Sequence, residues 1–249
     1  MTPILLYSAE VWGVYNYNER DKLHLRFCKY ILDVRQSTPS NAIYGELGRL
    51  PLSTIAKERA LKFWIKIMND ADSLGYKMYI ELCNNIRGSS WAKRANSIID
   101  HLGFTDIRNA FDNRINYLPL FKNRLRDQFI QDWKASIDSS PKLFYYAKVK
   151  NSFEYEEYLD KISNNTIRKY LTRFRLSSHN LEIELGRYHG IDRENRICKI
   201  CNLNSIESEF HFLLCCPKYS DLRKQYLGTF SWPNIHMFKN IVSTKNRKK

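Results

Sequence analysis

Residues 51–69 read PLSTIAKERALKFWIKIMN, the most regular helical pattern in the chain. Their apolar side chains recur at the spacing of three and four residues that places them on one face of an α-helix. These residues are Leu52, Ile55, Ala56, Ala60, Phe63, Ile67 and Met68. Pro51 suits the first helical position, because proline has no N–H to donate and its φ is already helical. The pattern predicts a long helix with one buried face.

The rest of the chain repeats this period. Glu19–Val34 carries a second apolar stripe, and the run STPS at 37–40 ends it. A third stripe steps by four and is predicted to be core: Phe121, Leu125, Phe129, Trp133 and Ile137. Further helices are expected at 73–86, 91–102, 120–137, 142–150, 153–163 and 166–176. The predicted fold class is therefore mainly α, with a small metal-binding module after the helices.

The short apolar run Pro3–Tyr7 is the only strand-like segment. It is too short to cross a membrane or to form the hydrophobic region of a signal peptide. We therefore expect no membrane partner and an intracellular location, nuclear or cytoplasmic, that the sequence does not specify further. With 43% apolar and 14% aromatic residues among 249, the chain can build one large core or two smaller ones.

Cys198, Cys201, His211 and Cys216 form a C-x2-C-x9-H-x4-C array. Two cysteines separated by two residues can place both thiolates on one ion from a tight turn, and a His and a Cys can close the coordination from the other side. Tetrahedral zinc takes these ligands, so zinc is the predicted cofactor. Four protein ligands leave no position for water, which indicates a structural metal and not a catalytic one.

The metal and its fourth ligand each have an alternative. Buried cysteine behaves as a small hydrophobe, so the four residues could be ordinary core residues, although a reducing compartment favours metal for clustered Cys and His. In a continuous helix Cys215 would share a face with His211, and Cys216 would be rotated away. Pro217 pushes Cys216 out of the helical region, and that turn could carry its sulfur toward the metal.

The chain has 40 Lys and Arg against 26 Asp and Glu, a formal net charge of +14. Such an excess attracts phosphate backbones by a salt-sensitive interaction that does not depend on base sequence. Basic residues concentrate at 166–176, where no acidic residue lies, and around the Cys/His array. The predicted nucleic-acid-binding residues are Arg168, Lys169, Arg173, Arg175, Arg187, Arg196, Lys199 and Lys218. A basic tail ends in Lys245, Arg247, Lys248 and Lys249.

Zinc knuckles that bind single strands combine cations with an exposed aromatic ring on which a base stacks. The aromatic candidates near the array are Tyr188, Phe210, Phe212 and Tyr219. Packing in the module's own core is the alternative for each, because a small module has few large side chains. A knuckle is too small to fill a major groove with a reading helix, so single-stranded RNA or DNA is the predicted partner.

Enzyme motifs are mostly absent from the sequence. It contains no phosphate-cradling glycine loop, no G-x-S-x-G elbow and no H-E-x-x-H. The carboxylate pair Glu156-Glu157 is interpreted as a solvated helix face, and nothing marks a two-metal polymerase or nuclease site. We predict no catalytic residues and no enzymatic activity for this chain by itself.

Several segments resemble one known family. LLYSAEVWG at 5–13 and YGELGRLPL at 44–52, with Phe27-Cys28-Lys29 and the break at 37–39 between them, resemble the region after the catalytic palm of LINE-like, non-LTR retrotransposon reverse transcriptases. The tract that forms that family's C-terminal zinc knuckle, and the approach to it, is similar to LTRFRLSSH at 171–179, ELGRY at 184–188, CKIC at 198–201 and HFLLCCPKY at 211–219. The resemblance covers roughly residues 3–226.

The resemblance implies a division of labour along the chain. Residues 1–75 would be thumb-like helices that grip a primer–template duplex, 76–184 a helical connector, 185–226 the CCHC zinc-binding module and 227–249 a basic C-terminal tail. The module would help to hold template RNA or target DNA during target-primed reverse transcription. The family's last ligand is the Cys directly before Pro, which implies Cys216 and leaves Cys215 second. Other retrotransposon-encoded domains are further implied partners.

The chain departs from the family because it contains no Tyr-x-Asp-Asp metal motif, fingers, palm or endonuclease. We therefore expect a reverse transcriptase fragment, from a truncated element copy or an incomplete gene model, that binds zinc and nucleic acid without polymerising or cutting. Two alternatives are a zinc-stabilised helical module that docks another polypeptide and a non-functional element remnant. Salt separates nucleic-acid binding from docking, since phosphate contacts weaken steeply with salt and apolar interfaces do not.

Overall fold

The computed structural model describes residues 2–15, 18–85, 89–228 and 232–243. Across these ranges the chain is mainly helical, as predicted, and forms no strand; paired extended backbone is confined to two isolated antiparallel bridges, Leu47 with Tyr155 and Ile197 with Ile206. The basic residues predicted at 245–249 lie outside the described residues.

The chain divides into two compact units. The first comprises residues 1–25 and 50–132, and the second comprises 26–49 and 133–249. The functional boundaries expected after residues 75, 184 and 226 stay a prediction, because compactness groups residues by packing and not by activity.

The helices follow the predicted ones closely in most of the chain. They are α1 (Thr2–Leu5), α2 (Ala9–Trp12), α3 (Asn18–Leu32), α4 (Ser40–Leu47), α5 (Leu52–Met68), α6 (Leu74–Asn84), α7 (Trp91–His101), α8 (Thr105–Asn109), α9 (Leu118–Asp138), α10 (Phe144–Val149), α11 (Tyr158–Lys161), α12 (Asn165–Arg175), α13 (Glu182–Tyr188), α14 (Ser220–Leu227) and α15 (Ile235–Val242). Short 3-10 turns lie at Pro141–Leu143, Arg193–Asn195 and Pro217–Tyr219, and one π-helical turn lies at His211–Cys215. The last residue of the helix predicted at 73–86, residue 86, lies outside the described residues.

The core of the first unit forms around Trp64 of α5, which is fully buried. Its ring packs edge-on against Phe111, with centroids 5.4 Å apart. The indole N–H donates to the hydroxyl of Tyr79 at 3.0 Å, and that hydroxyl donates to Oδ1 of Asn96 at 2.5 Å. The chain of bonds satisfies the polar atoms that burial removes from water. The predicted helix is confirmed, with Pro51 extended immediately before it and not in its first turn.

The strand expected at Pro3–Tyr7 is wrong. These residues form α1 and the turn that follows it, and Leu6 is buried against Leu52 and Ala56 of α5. The segment buries Leu6 against the helix α5, and no neighbouring strand is present in the described residues with which an extended segment could pair.

The helix expected at 153–163 is confirmed only at Tyr158–Lys161. Before this helix, Tyr155 bridges to Leu47, and the N–H of Glu156 donates to the carbonyl of Glu46 at 3.1 Å. Backbone pairing with α4 and the turn after it overrides the local helical period.

The apolar stripe of α9 contributes to two cores. Phe121 and Leu125 are buried in the first unit, whereas Trp133 and Ile137 are buried in the second. The Trp133 indole N–H donates to the carbonyl of Asn41 at 2.9 Å. The same ring lies against Gly45, where an added Cβ would be 2.8 Å from it, so this site in α4 requires glycine.

A buried ion-pair network stabilises the second unit. Arg175 is 4% exposed, and its Nε donates to Oε1 of Glu46 at 2.6 Å while its Nη2 lies 2.9 Å from Oε2 of Glu156. Tyr158 donates to Glu46 at 2.7 Å, and Arg175 Nη1 donates to the carbonyl of Val242 at 2.9 Å. The solvated face expected for Glu156 is wrong, since its side chain is 12% exposed and is bound by buried cations.

Candidate metal centre

Four predicted ligand side chains converge in the second unit. One ligand atom each from Cys198, Cys201, His211 and Cys216 lies within 4.8 Å of all the others. The Cys201 sulfur and Nε2 of His211 are 3.4 Å apart. Cys198, His211 and Cys216 are buried and Cys201 is partly exposed, so the cluster opens to solvent on one side.

A short hairpin supplies the first two cysteines. Ile197 bridges to Ile206, the N–H of Cys198 donates to the carbonyl of Ser205 at 2.9 Å, and the N–H of Glu207 donates to the carbonyl of Arg196 at 2.9 Å. The turn between the paired residues carries Cys201. Asn204 closes it with φ of 49°, a left-handed conformation that asparagine tolerates better than most residues.

The π-helical turn at His211–Cys215 supplies the ligand His211, and Cys216, directly after the turn, is the fourth ligand. The N–H of Cys216 donates to the carbonyl of His211 at 2.7 Å, a span of five residues where an α-helix spans four. Cys216 itself is extended, with ψ of 119°, as expected for a residue before Pro217. The structure therefore places Cys216, and not Cys215, in the cluster. Cys215 packs instead against the apolar cluster of Leu214, Phe238 and Val242.

Backbone N–H groups and burial shift the pKa values of Cys198, Cys201 and His211. Burial raises the pKa of the Cys198 thiol to about 11, against the N–H groups of Ile200 and Cys201 and together with the Glu207 carboxylate. The N–H of Leu203 lowers the pKa of Cys201, against burial. Burial also lowers the pKa of His211, which keeps the imidazole neutral, the form that binds metal.

The cluster fits a tetrahedral metal ion. With Zn–S bonds of about 2.3 Å, the sulfurs of a tetrahedral site lie about 3.8 Å apart, which is compatible with ligand atoms all within 4.8 Å of one another. Thiolate and imidazole ligands are consistent with zinc but do not select it over every other transition metal. The four side chains would supply the four ligands of a tetrahedral ion, the number found in structural zinc sites.

Two residues behind the cluster escaped the sequence prediction. Glu207 is buried, with Oε1 3.7 Å from the Cys198 sulfur and Oε2 accepting from the N–H of Glu182 at 2.7 Å. The Ser208 hydroxyl accepts from the N–H of His211 at 3.2 Å and from the Tyr145 hydroxyl at 3.3 Å. A Ser directly before a helical turn is a capping signal, because its hydroxyl can accept from the N–H three residues later, so the run ESEFH could have identified Ser208.

The predicted nucleic-acid-binding residues of α12 are mostly held by the protein itself. Lys169 and Arg173 both pair with Asp33, at 3.2 and 2.9 Å. Arg168 donates to the carbonyl of Ile162 and to Asn165, each at 3.1 Å. Arg175 belongs to the buried network and has almost no surface that a phosphate could reach. We therefore remove Arg175 from the predicted set.

The predicted cations nearer the metal ligands differ in availability. Arg196 donates to the carbonyls of Ile183 and Ile191 and packs against Gly186, so its guanidinium is already bonded within the module. Arg187 is half-buried and pairs with Glu184 at 3.3 Å. Lys199 is 76% exposed and pairs with Glu182 at 2.9 Å. Lys218 is exposed and has no partner among the described residues.

The aromatic candidates for base stacking differ in how deeply they are buried. Phe210 packs against Tyr145 and Phe238 in the apolar core, which confirms the packing alternative for this ring. Phe212 is half-buried, contacts Tyr219 edge-on with centroids 4.9 Å apart, and lies beside a cavity. Tyr188 is 55% exposed beneath the Arg35 guanidinium.

Searches against protein-family models, curated proteins and solved structures find no match for this chain. Among the described residues, no helix has the length and apolar character needed to span a bilayer.

Proposed function

We propose that this chain binds one zinc ion through Cys198, Cys201, His211 and Cys216, and holds single-stranded nucleic acid, template RNA or single-stranded DNA, beside it. The observation that carries the proposal is the convergence of the four ligand atoms within 4.8 Å on a chain of net charge +14. Bound zinc would cross-link the hairpin at 196–207 to the π-helical turn. The chain's own side chains supply every contact to the strand.

Lys199 and Lys218 are the cations best placed for such contacts. Lys199 lies between the first two ligands, and Lys218 follows Pro217, directly after the last. The Lys199 side chain is 76% exposed and only its Nζ is engaged, 2.9 Å from the largely buried carboxylate of Glu182, so this lysine is open to a phosphate from the solvent side. Phosphate contacts of this kind hold a strand without reading its bases.

The resemblance to LINE-like reverse transcriptases supplies the context of the proposal. In that family a zinc knuckle of this spacing follows the polymerase, and the present chain would be its post-polymerase region, without catalysis of its own. Template RNA is then the natural strand, and other element-encoded domains are the natural neighbours.

Two measurements test the proposal. Elemental analysis of the purified chain should find one zinc per chain. Fluorescence anisotropy should find binding of a labelled single-stranded RNA that weakens steeply as salt increases, because bound phosphates release counterions. The double variant Lys199→Ala/Lys218→Ala should weaken binding and flatten the salt dependence. Lys22→Ala, which removes an exposed lysine paired with Glu19 in the first unit, is the control. Binding that is unaffected by salt or by the double variant would reject the proposal.

Protein docking is a second candidate function, favoured by one surface. Ile4, Tyr7 and Val11 lie on α1, α2 and the turn between them and are 80%, 79% and 55% exposed. Three exposed apolar side chains within eight residues of sequence are typical of a contact site for another polypeptide. A reverse transcriptase domain supplied in trans should then bind the chain with little dependence on salt, and Tyr7→Glu should abolish that binding.

A further inference from the structure

A cavity of about 560 Å³ lies in the second unit, among the residues after α3, the side of α12, the loop at 178–181 and the π-helical turn. This volume is in the range of small-molecule sites, about 300 to 1,000 Å³. We call it the Arg35 pocket, lined by Arg35, Tyr170, Arg173, Phe174, Asn180 and Phe212 among others.

Aromatic rings form one part of its wall. Phe174 and Phe212 are in contact, with centroids 5.9 Å apart, and both are half-buried. Tyr170 stands at the opening and is 66% exposed. Faces of this kind bind a flat ring by stacking, and any nucleobase supplies one.

Polar groups complete the rim. The Arg35 guanidinium donates to the side-chain oxygen of Asn180, and its backbone N–H donates to the Ser178 hydroxyl at 2.9 Å. Arg173 is held by Asp33 across the opening. The rim thus presents cationic donors, a carboxylate acceptor and an amide that can both donate and accept. A base edge carries donors and acceptors, and its attached phosphate is an anion, so a nucleotide matches all of these groups.

The pocket is connected to the metal centre through the chain. Phe212 directly follows the ligand His211 within the π-helical turn, so the bonds that fix His211 also fix this wall. An aromatic wall placed by a metal-bound turn is pre-organised for stacking.

We propose that the Arg35 pocket takes one unpaired nucleotide of the bound single strand, with the base stacked on the aromatic wall at Tyr170 and its phosphate at Arg35. This inference rests on the proposed function and adds a specific base-contacting site to the phosphate contacts proposed at Lys199 and Lys218. An apolar ligand would make no use of the polar rim formed by Arg35, Asn180 and Arg173, and an acidic peptide would leave the aromatic faces without a flat ring.

The test compares two labelled strands of equal length and charge, a single-stranded RNA and its abasic ribose-phosphate analogue, by anisotropy with the zinc-loaded full chain. The wild type should bind the base-containing strand about tenfold more tightly or better, because one stacked base contributes that much. Tyr170→Ala should bring the ratio close to one, leaving abasic binding and metal content unchanged. Tyr226→Ala, which removes a comparably exposed tyrosine of α14 that does not line the pocket, should keep the wild-type ratio.

The remaining outcomes separate the two proposals. If the wild type binds neither strand, the proposed function fails. If it binds both strands equally, or if Tyr170→Ala keeps the wild-type preference, only the pocket proposal is overturned. A free mononucleotide that binds as tightly as the RNA would overturn the strand as the source of the nucleotide. Preferential binding of an acidic peptide that competes with the RNA and depends on Tyr170 would assign the pocket to a protein partner and overturn the inference.

Discussion

The N–H of Cys216 donates to the carbonyl of His211 at 2.7 Å, and this one bond brings the third and fourth ligands together. A hydrogen bond across five residues widens the turn, so that residues five apart come to lie on one side of it. In an α-helix Cys215 would have shared that side. The selection of Cys216 over Cys215 is thus a property of backbone hydrogen bonding, and both residues carry the same thiol chemistry.

Replacement of the two adjacent cysteines should therefore have unequal effects. Cys216→Ser removes a ligand and should abolish stoichiometric zinc binding, whereas Cys215→Ser removes a core thiol and should leave one zinc per chain. Elemental analysis after dialysis against a weak chelator measures both. Equal zinc loss in the two variants would contradict the assignment.

The cap beneath the metal site should contribute to metal affinity. Ser208→Ala removes the acceptor for the His211 N–H and the partner of Tyr145, and loss of such a cap costs about 1 kcal/mol, or about fivefold in zinc affinity. Competition with a chromophoric chelator measures the change. Ser205→Ala is the control. The Ser205 hydroxyl bonds only to the carbonyl of Leu203 in the same turn, so this variant should leave the zinc affinity unchanged.

The same substitution at two arginines of α12 should separate a buried ion pair from a surface one. Arg175→Met leaves the Glu46 carboxylate buried without its main partner and should lower the free energy of unfolding by about 3 to 5 kcal/mol. Arg173→Met breaks a partly exposed pair with Asp33 and should lower it by less than about 1 kcal/mol. Urea denaturation distinguishes the two, and similar losses would refute the buried role of Arg175.

The contact of α2 with α5 should not tolerate a methyl group at Gly13. An added Cβ would lie 2.2 Å from the carbonyl oxygen of Ala56, so Gly13→Ala must move one helix and should cost about 1 to 3 kcal/mol. Gly75→Ala in α6 meets only ordinary contacts, the nearest at 3.7 Å, and should be neutral or slightly stabilising. Thermal unfolding of both variants, recorded together, provides the comparison.

Alkaline pH should weaken the first unit through Tyr79. Burial raises the pKa of this phenol to about 12, above the usual value of about 10. The folded state thus favours the neutral phenol, so its contribution to stability is complete below pH 10 and disappears as the pH rises toward 12. Denaturation between pH 9 and about 12 measures this loss. Tyr79→Phe should be less stable at neutral pH, because the Trp64 N–H loses its acceptor, and should lose less stability across that interval.

Apolar periodicity and motif spacing predicted the features of the structure that depend on residues close together in sequence. The helices α5 and α9 follow from apolar stripes, and the convergence of the ligands follows from the spacing of the Cys/His array. The role of Arg175 could not be foreseen, because its partner Glu46 lies 129 residues away and Arg173 looks the same in sequence. Likewise, local pattern predicted a helix at 153–163, but long-range pairing of Tyr155 and Glu156 with residues 46–47 keeps the start of that segment out of the helix.

The second unit is assembled from two separated stretches of chain. During synthesis on the ribosome it therefore cannot complete its fold until the later stretch has been made, whereas the first unit can fold earlier. The first unit is complete once residue 132 has emerged. Glu46 is synthesised early but can form its ion pair only after Arg175 has been made. Arg175 in turn completes its hydrogen bonds only after Val242, in the last described helix, has been made. Until Arg175 has emerged, the carboxylate of Glu46, which is buried in the folded protein, has no cation to pair with and stays in water. A nascent chain arrested shortly before residue 242 should therefore expose the second unit to proteases while the first is already protected.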